Sequence, residues 1–323
     1  MDALTSLGAA LGGARFVQGP GGNISVKEDG RLRVKASGKR LRELGQPGAH
    51  ADVPLDLAVR ALSGDAAADA ELFAFRPRPS LEAYFHALGG AIVAHTHALG
   101  ALLVACSDDE HFARRLPDGV IPVGYERPGR GLALLVQEAL GARQHGALLL
   151  RSHGLIVYAQ DAEAAIAKTI EVDEACRAHF SDLPDFDAVV AAPVVAQGLD
   201  DAAGMMCPLP RRRAEPGRYL CPDAVVFGTV VRVPSLDVPR AVAGAALASF
   251  KRPVVVQADD GQRLLVARNE SELAQAREVV LAHDWALDAL ERAGGALFLP
   301  QEEPARIVNM PSEQYRLALT EGR

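Results

Sequence analysis

Two histidines on alternate residues, His95 and His97, close a short apolar run, Gly90–His95 (GAIVAH), that reads as a buried strand. Residues two apart on a strand share a face, so both imidazoles can aim at one point, as the first two ligands of a metal must. A third imidazole is available at His153, within Ser152-His153-Gly154, between the apolar runs Ala147–Arg151 and Leu155–Tyr158. A histidine at a glycine-containing junction between buried strands sits at a sheet end, where loops carry function. Three histidines without cysteine leave room for water or substrate, the pattern of a catalytic rather than a structural Zn2+ site or its equivalent with another divalent metal. Glu82 adds a carboxylate on Ser80–Leu88, which reads as a helix running back towards the same sheet end. The set suits a Lewis acid working beside a proton-transferring carboxylate.

The remaining sequence must supply the elements that hold these groups. Residues 2–15 have helical composition, and Gln18-Gly19-Pro20-Gly21-Gly22-Asn23 is a turn-rich loop. It leads into two strands, Ile24–Lys27 and Arg31–Ala36, with the hairpin signal Asp29-Gly30 between them. Ser37-Gly38-Lys39 follows. Its hydroxyl, backbone N–H groups and cation, with the glycine-rich loop, suit either an anion or a plain glycine hairpin. Helices are expected over Val53–Leu62, Ala98–Cys106 and Leu132–Leu140, and over Ala162–Phe180 with Asp161 as its cap. Glu171 and Glu174 on the last of these read as solvated charges. Val120–Val123 reads as a strand before the loop Gly124-Tyr125-Glu126-Arg127-Pro128-Gly129. Alternating helices and strands indicate an α/β layered domain over 1–182.

Residues 183–218 change character. Repeated Pro, Gly and Ala with Arg211-Arg212-Arg213 read as an irregular surface connection. Beyond it, 219–323 reads as a small αβ unit: strand-like Ala224–Val233, helix Pro239–Phe250, strands Val254–Gln257 and Leu264–Ala267, and helix Glu272–Arg292. His283 and Trp285 on that last helix are read as packing residues.

Composition narrows the function classes. With 323 residues, 49% of them hydrophobic and 23% charged, the chain can bury a large core and has the make-up of a globular protein. A net charge of −7 disfavours nucleic acid, which selects a basic footprint. No run approaches the ~20 apolar residues of a membrane span, and no cationic leader precedes an apolar core, so a cytoplasmic setting is expected. Cys106, Cys176, Cys207 and Cys221 form no CxxC pair and are expected as reduced thiols. The lysines, Lys27, Lys35, Lys39, Lys168 and Lys251, show no apolar setting that would lower a pKa for Schiff-base chemistry.

In order, Gly21-Gly22-Asn23-Ile24-Ser25, Ala36-Ser37-Gly38, Pro79-Ser80-Leu81-Glu82, His95-Thr96-His97 and Ser152-His153-Gly154 resemble the class II aldolase/adducin family. The motifs fall in the first 182 residues, and the tail more loosely resembles that of longer members. The resemblance implies a layered α/β/α domain with a C-terminal αβ extension and a metal-dependent aldolase, a lyase cleaving a hydroxy-ketone sugar or sugar phosphate through an enediolate. It implies His95, His97 and His153 as metal ligands and a homotetramer with sites near subunit boundaries. Glu82 would exchange a proton at the carbon that becomes nucleophilic, from an environment that raises its pKa. Tyr125 would relay a proton to the departing aldehyde's alkoxide. Asn23, Ser25, Ser37, Gly38 and Lys39 would hold the substrate's phosphate or equivalent polar end. Leu81 departs from the serine that phosphate-using members often carry before the glutamate, which leaves phosphorylation of the substrate open. Tyr315 lies in a tail that, in the family, can close over the site. Epimerisation, dehydration or decarboxylation at the same metal site are the alternatives, as is a non-catalytic adducin-like binding protein, although that class lacks the metal histidines.

Overall fold

The computed structural model describes residues 2–199, 204–237, 239–311 and 313. They fall into two compact units, Met1–Leu183 with Ala289–Leu297, and Pro184–Asp288 with Phe298–Arg323. Tyr315 lies outside the described residues.

In the first unit, helix α1 (Ala3–Leu11) precedes β1 (Asn23–Glu28) and β2 (Arg31–Lys35). Asp29 and Gly30 join the two strands at φ 48° and 71°, the paired positive values that a two-residue hairpin turn demands. The chain continues through β3 (His50–Pro54), α2 (Leu55–Leu62), α3 (Ala66–Leu72), α4 (Ala83–His86) and β4 (Ile92–Thr96). It then passes α5 (Leu99–Ala105), α6 (Asp109–Arg115), β5 (Val120–Val123), α7 (Arg130–Leu140), β6 (Gly146–Leu150), β7 (Gly154–Ala159) and α8 (Ala162–Arg177).

These strands form one sheet in the order β3-β2-β1-β4-β7-β6-β5, antiparallel except for β5 beside β6. Alternation along the strands sorts the side chains into two cores. Ile24, Val26, Ile92 and Ala94 pack with α1, α5 and α8. Leu32, Val34, Val93, Leu148 and Ile156 pack with α2, α3, α4 and α7 on the other face. The result is the layered α/β/α arrangement expected from the sequence. β4, buried along its whole length, lies at the centre.

Three sequence readings change in detail. The helix expected over Ser80–Leu88 is only α4: Pro79 bridges to Ala36 and the Ser80 N–H bonds Lys35 O at 3.2 Å, which ties the chain before α4 to the end of β2, and Gly89 turns the chain at φ 62°. Val53 belongs to β3, paired with Leu32, and the helix starts after Pro54. Ala224–Val233 is not one strand: Pro222 opens helix α10, described below, and Gly228 ends it before the strand begins.

The second unit carries α9 (Phe186–Ala191), β8 (Gln197–Gly198), β9 (Met205–Leu209), α10 (Pro222–Phe227), β10 (Thr229–Val233) and α11 (Pro239–Phe250). β11 (Val254–Ala258), β12 (Arg263–Ala267), α12 (Glu270–Ala293, its last residues in the first unit) and α13 (Glu303–Val308) follow. Its sheet runs β10-β11-β12-β9-β8, so Met205–Leu209, within the stretch read as an irregular connection, pairs with β12. Val254, Val256 and Val266 of the sheet pack against Ala243 and Leu247 of α11.

His283 and Trp285 serve packing and local hydrogen bonding. The Trp285 indole donates to Pro184 O at 3.1 Å, and His283 Nε2 accepts the Leu220 N–H at 3.3 Å. Burial pushes the His283 imidazole down to about 4. Unfolding therefore binds a proton that the folded unit refuses, so its contribution is whole above pH ~6.5 and is lost as pH falls from there through the folded value. Between pH 7 and 5, denaturation followed by Trp285, the single tryptophan, is expected to lose about 2 kcal/mol more in the native chain than in His283→Gln. Equal losses would remove His283 as the cause.

Candidate metal centre

The end of β4 and the hairpin between β6 and β7 bring the three histidines together. His95 is the fourth residue of β4, and His97 follows the strand's end with its carbonyl 3.5 Å from Gln18 Nε2. Arg151-Ser152-His153 forms the hairpin loop, closed by the Leu150–Gly154 pair. Ser152 takes φ 52°, and its N–H donates to Ala105 O at 3.0 Å. Two glycines permit the close approach. A Cβ on Gly154 would lie 2.4 Å from Thr96 O and 3.0 Å from the His97 ring, and one on Gly22 would lie 2.9 Å from His95 O.

The three ring centroids stand 4.9–5.3 Å apart, and the ligand atoms lie within 4.8 Å of one another. His95, His97 and His153 are 0%, 6% and 4% exposed. His95 Nδ1 lies 3.0 Å from Leu155 O. A carbonyl only accepts, so Nδ1 holds a proton, and in the neutral ring Nε2 presents a lone pair to the centre. That lone pair faces His97 Nε2 at 3.2 Å.

Glu82 completes the cluster from the N-terminal end of α4, with Oε1 3.4 Å from both His95 Nε2 and His153 Nε2. Burial alone would raise its pKa, but His95 and His153 together hold it well below the ordinary carboxylate range. The raised pKa expected from the sequence is therefore not found in the protein alone. Burial lowers the pKa of His153 despite Glu82, leaving the neutral ring that coordinates metals. The donor set is thus three imidazoles and a carboxylate with a buried lone pair in its midst. Such a set fits a divalent cation.

Helix α4 has four residues, too few to hold itself in water. Tyr158 Oη donates to Phe85 O at 2.9 Å, and Lys27 Nζ donates to His86 O at 3.0 Å and also to Leu88 O. Burial pushes the Lys27 ammonium down to about 7. This corrects the reading that no lysine has a depressed pKa, although Lys27 here caps a helix end. His86, absent from the sequence candidates, is fully buried with Nδ1 2.7 Å from Ser25 Oγ. Its spacing four residues after Glu82, on one helical face, was the available signal.

The other expected residues lie on β1, on the turn after β2 and on the loop after β5. Asn23 pairs with His95 across β1 and β4, so its side chain is on the face of the His95 ring, fully buried, with both polar atoms lacking a partner among the described residues. Ser25, two residues along on the same face, is committed to His86. Ser37 and Lys39 are partly exposed and Gly38 is exposed at φ 77°. The Ser37 N–H donates to Arg78 O at 2.9 Å, which lashes this loop to the segment leading to Glu82. Tyr125 is partly exposed in the loop after β5, which begins where Val123 O accepts the Arg151 N–H at 3.0 Å. Leu81 packs with the apolar core on the α4 side of the sheet.

Among the described residues, no helix is long and apolar enough to cross a membrane, and all four cysteines are buried thiols. Residues 2–180 match the family described as the class II aldolase and adducin N-terminal domain. Among solved structures, the chain is similar to the N-terminal class II aldolase domain of a conserved protein from Thermoplasma acidophilum. That match has 25% identity and a TM-score of 0.46, covering 55% of this chain and 89% of that one. A second is YgbL of Klebsiella pneumoniae, described as a putative aldolase/epimerase/decarboxylase, at 26% identity, TM-score 0.41, and 54% and 85% coverage. L-fuculose-1-phosphate aldolase from Thermus thermophilus matches at 22% identity, TM-score 0.40, and 54% and 90% coverage. No curated protein matches.

If the three histidines hold one cation, His153→Ala is expected to weaken metal binding more than ~100-fold, since even groups behind the ligands are worth 10–100-fold. Added zinc should then raise the melting temperature of the native chain but not of the variant. An equal rise in both would place the metal elsewhere.

Proposed function

The chain belongs to the class II aldolase and adducin family, and from that premise we propose that it is a metal-dependent lyase. It cleaves the carbon–carbon bond of a hydroxy-ketone sugar or sugar phosphate. The observation that carries this reading is the buried convergence of His95, His97, His153 and Glu82, with 3.4 Å between the carboxylate and two of the rings. An adducin-like binding role has no use for such a cluster.

His95, His97 and His153 would hold a divalent cation, Zn2+ or a similar ion. When bound, the cation supplies Lewis-acid stabilisation of the negative charge that develops on the ketone fragment as the bond breaks. Glu82, held in its carboxylate form beside the rings, moves the proton at the carbon that becomes nucleophilic in the synthetic direction. Its side chain is mostly withdrawn from solvent, at 13% exposure. Tyr125 relays a proton to the oxygen of the departing aldehyde. Supporting this role, its loop starts at Val123, whose carbonyl is bonded to the hairpin that carries His153.

Asn23 binds the substrate's polar end, because an amide buried without partners costs on the order of 1–3 kcal/mol until something satisfies it. Ser37, Gly38 and Lys39 flank that end from the neighbouring loop. Ser25 orients His86 and contributes to the wall of the pocket. Assembly as a homo-oligomer belongs to the same reading.

Glu82→Gln keeps the side chain's size but cannot accept a proton near neutral pH. It is expected to slow aldehyde release from the ketose it cleaves by ~10²–10⁴-fold, with metal content intact and little change in KM. Exchange of the substrate's carbon-bound proton with deuterated solvent should fall in parallel. Loss of metal along with activity would make Glu82 a ligand instead. Activity within a few-fold of native would assign the base to another group.

A further inference from the structure

Lys35 is the last residue of β2 and is 2% exposed, an unusual place for an ammonium. Its Nζ donates to Pro20 O at 3.0 Å and to Lys39 O at 2.7 Å. These carbonyls belong to two different loops, the glycine-rich turn that enters Asn23 and the Ser37-Gly38-Lys39 turn. The backbone at Lys35 adds a third connection, because its carbonyl accepts the Ser80 N–H at 3.2 Å. The neighbouring Ala36 bridges to Pro79. One residue therefore joins three segments that lead to Asn23, to Ser37 and to Glu82.

Both loops need such a tie. Gly19, Gly22 and Gly38 adopt φ of 56°, 64° and 77°, and glycine turns lose more backbone entropy on ordering than any others. Within the loops, backbone bonds run from Gly21 N–H to Gln18 O at 3.0 Å and from Lys39 N–H to Ala36 O at 3.2 Å, and neither bond joins one loop to the other. The ammonium spans both with charge-assisted bonds, which are stronger than neutral ones.

We propose that Lys35 is a positioning residue whose buried ammonium ties the Asn23 loop to the Ser37–Lys39 loop, so that the two form one preassembled clamp for the substrate's polar end. It touches neither the metal ligands nor Glu82 through its side-chain bonds given above. Its removal should therefore loosen binding while leaving the chemistry in place. The clamp's function rests on the lyase reading, whereas the mechanical coupling of the loops does not.

The test compares native protein with Lys35→Met by amide hydrogen exchange, reading Gly21 and Lys39 as reporters and β4 as internal control. Exchange at both reporters is expected to accelerate at least ~10-fold, the effect of losing hydrogen bonds to a charged group, with β4 unchanged. Lys35→Gln, which keeps a donor on too short an arm to span both carbonyls, serves if the methionine variant does not fold, and the same paired loosening is expected. In steady-state cleavage of the ketose found by an aldehyde-release panel, KM should rise at least ~10-fold while kcat stays within about threefold. Unchanged exchange at both reporters, or acceleration in one loop only, overturns the coupling. Paired acceleration with a fall in kcat at constant KM overturns the clamp role. Paired acceleration in a protein that cleaves no ketose upholds the coupling and counts against the lyase reading alone.

Discussion

The first unit answers to one electrostatic constraint: a carboxylate oxygen and imidazole nitrogens that face one another in a largely buried site. Glu82 Oε1 is 3.4 Å from His95 Nε2 and His153 Nε2, and His95 and His97 approach to 3.2 Å through Nε2. With the His95 proton committed to Leu155 O, at least one of these atoms meets the others as a lone pair. Facing lone pairs do not stay so close in a low-dielectric interior without the positive charge of a proton or a cation between them. Protons on the imidazoles can supply part of it, and the low pKa of Glu82 records that attraction. A divalent cation supplies it with neutral rings, the state that burial favours for His153.

The scaffold's design follows from holding these groups against that repulsion. The central strand fixes His95 with neighbours on both edges. A tight hairpin fixes His153, and glycines at 22 and 154 let the backbones approach. Asp173, fully buried, accepts the Gly100 N–H at 2.7 Å and pairs with Arg15 at 2.7 Å, which anchors the start of α5 immediately after His97. Helix α4, unable to stand alone, is bound to β1 and β7 by Lys27, Ser25, His86, Phe85 and Tyr158. Each of these contacts leaves Glu82 less freedom to turn away.

The parts legible in the sequence were those set by short-range pattern. Alternation placed His95 and His97 on one side, Asp29-Gly30 closed its hairpin, and Asp161 capped α8, with its carboxylate accepting the Ala164 N–H at 2.8 Å. Long-range choices were not legible. Nothing local in Asn23 states that its strand pairs with β4 and sets it opposite His95. Lys35 alternates with Leu32 and Val34 in a way that reads as solvent-facing, and only the return of two loops buries it. Lys27 is partly covered because the end of α4 folds over it. The shortness of α4 goes with the pairing of Pro79 and Ser80 to the end of β2, a long-range contact, and the replacement of a long strand by α10 and β10 goes with Pro222 at the helix start.

In the proposed reading the three histidines hold a divalent cation as its protein ligands. X-ray absorption at the edge of the metal that copurifies with the full chain tests this most directly. The expected spectrum has outer-shell imidazole scattering from three rings, nitrogen at ~2.0–2.1 Å for zinc, and a further light-atom neighbour, with no sulfur at ~2.3 Å. Sulfur in the shell, fewer than three imidazoles, or a protein that takes up no divalent ion would contradict it.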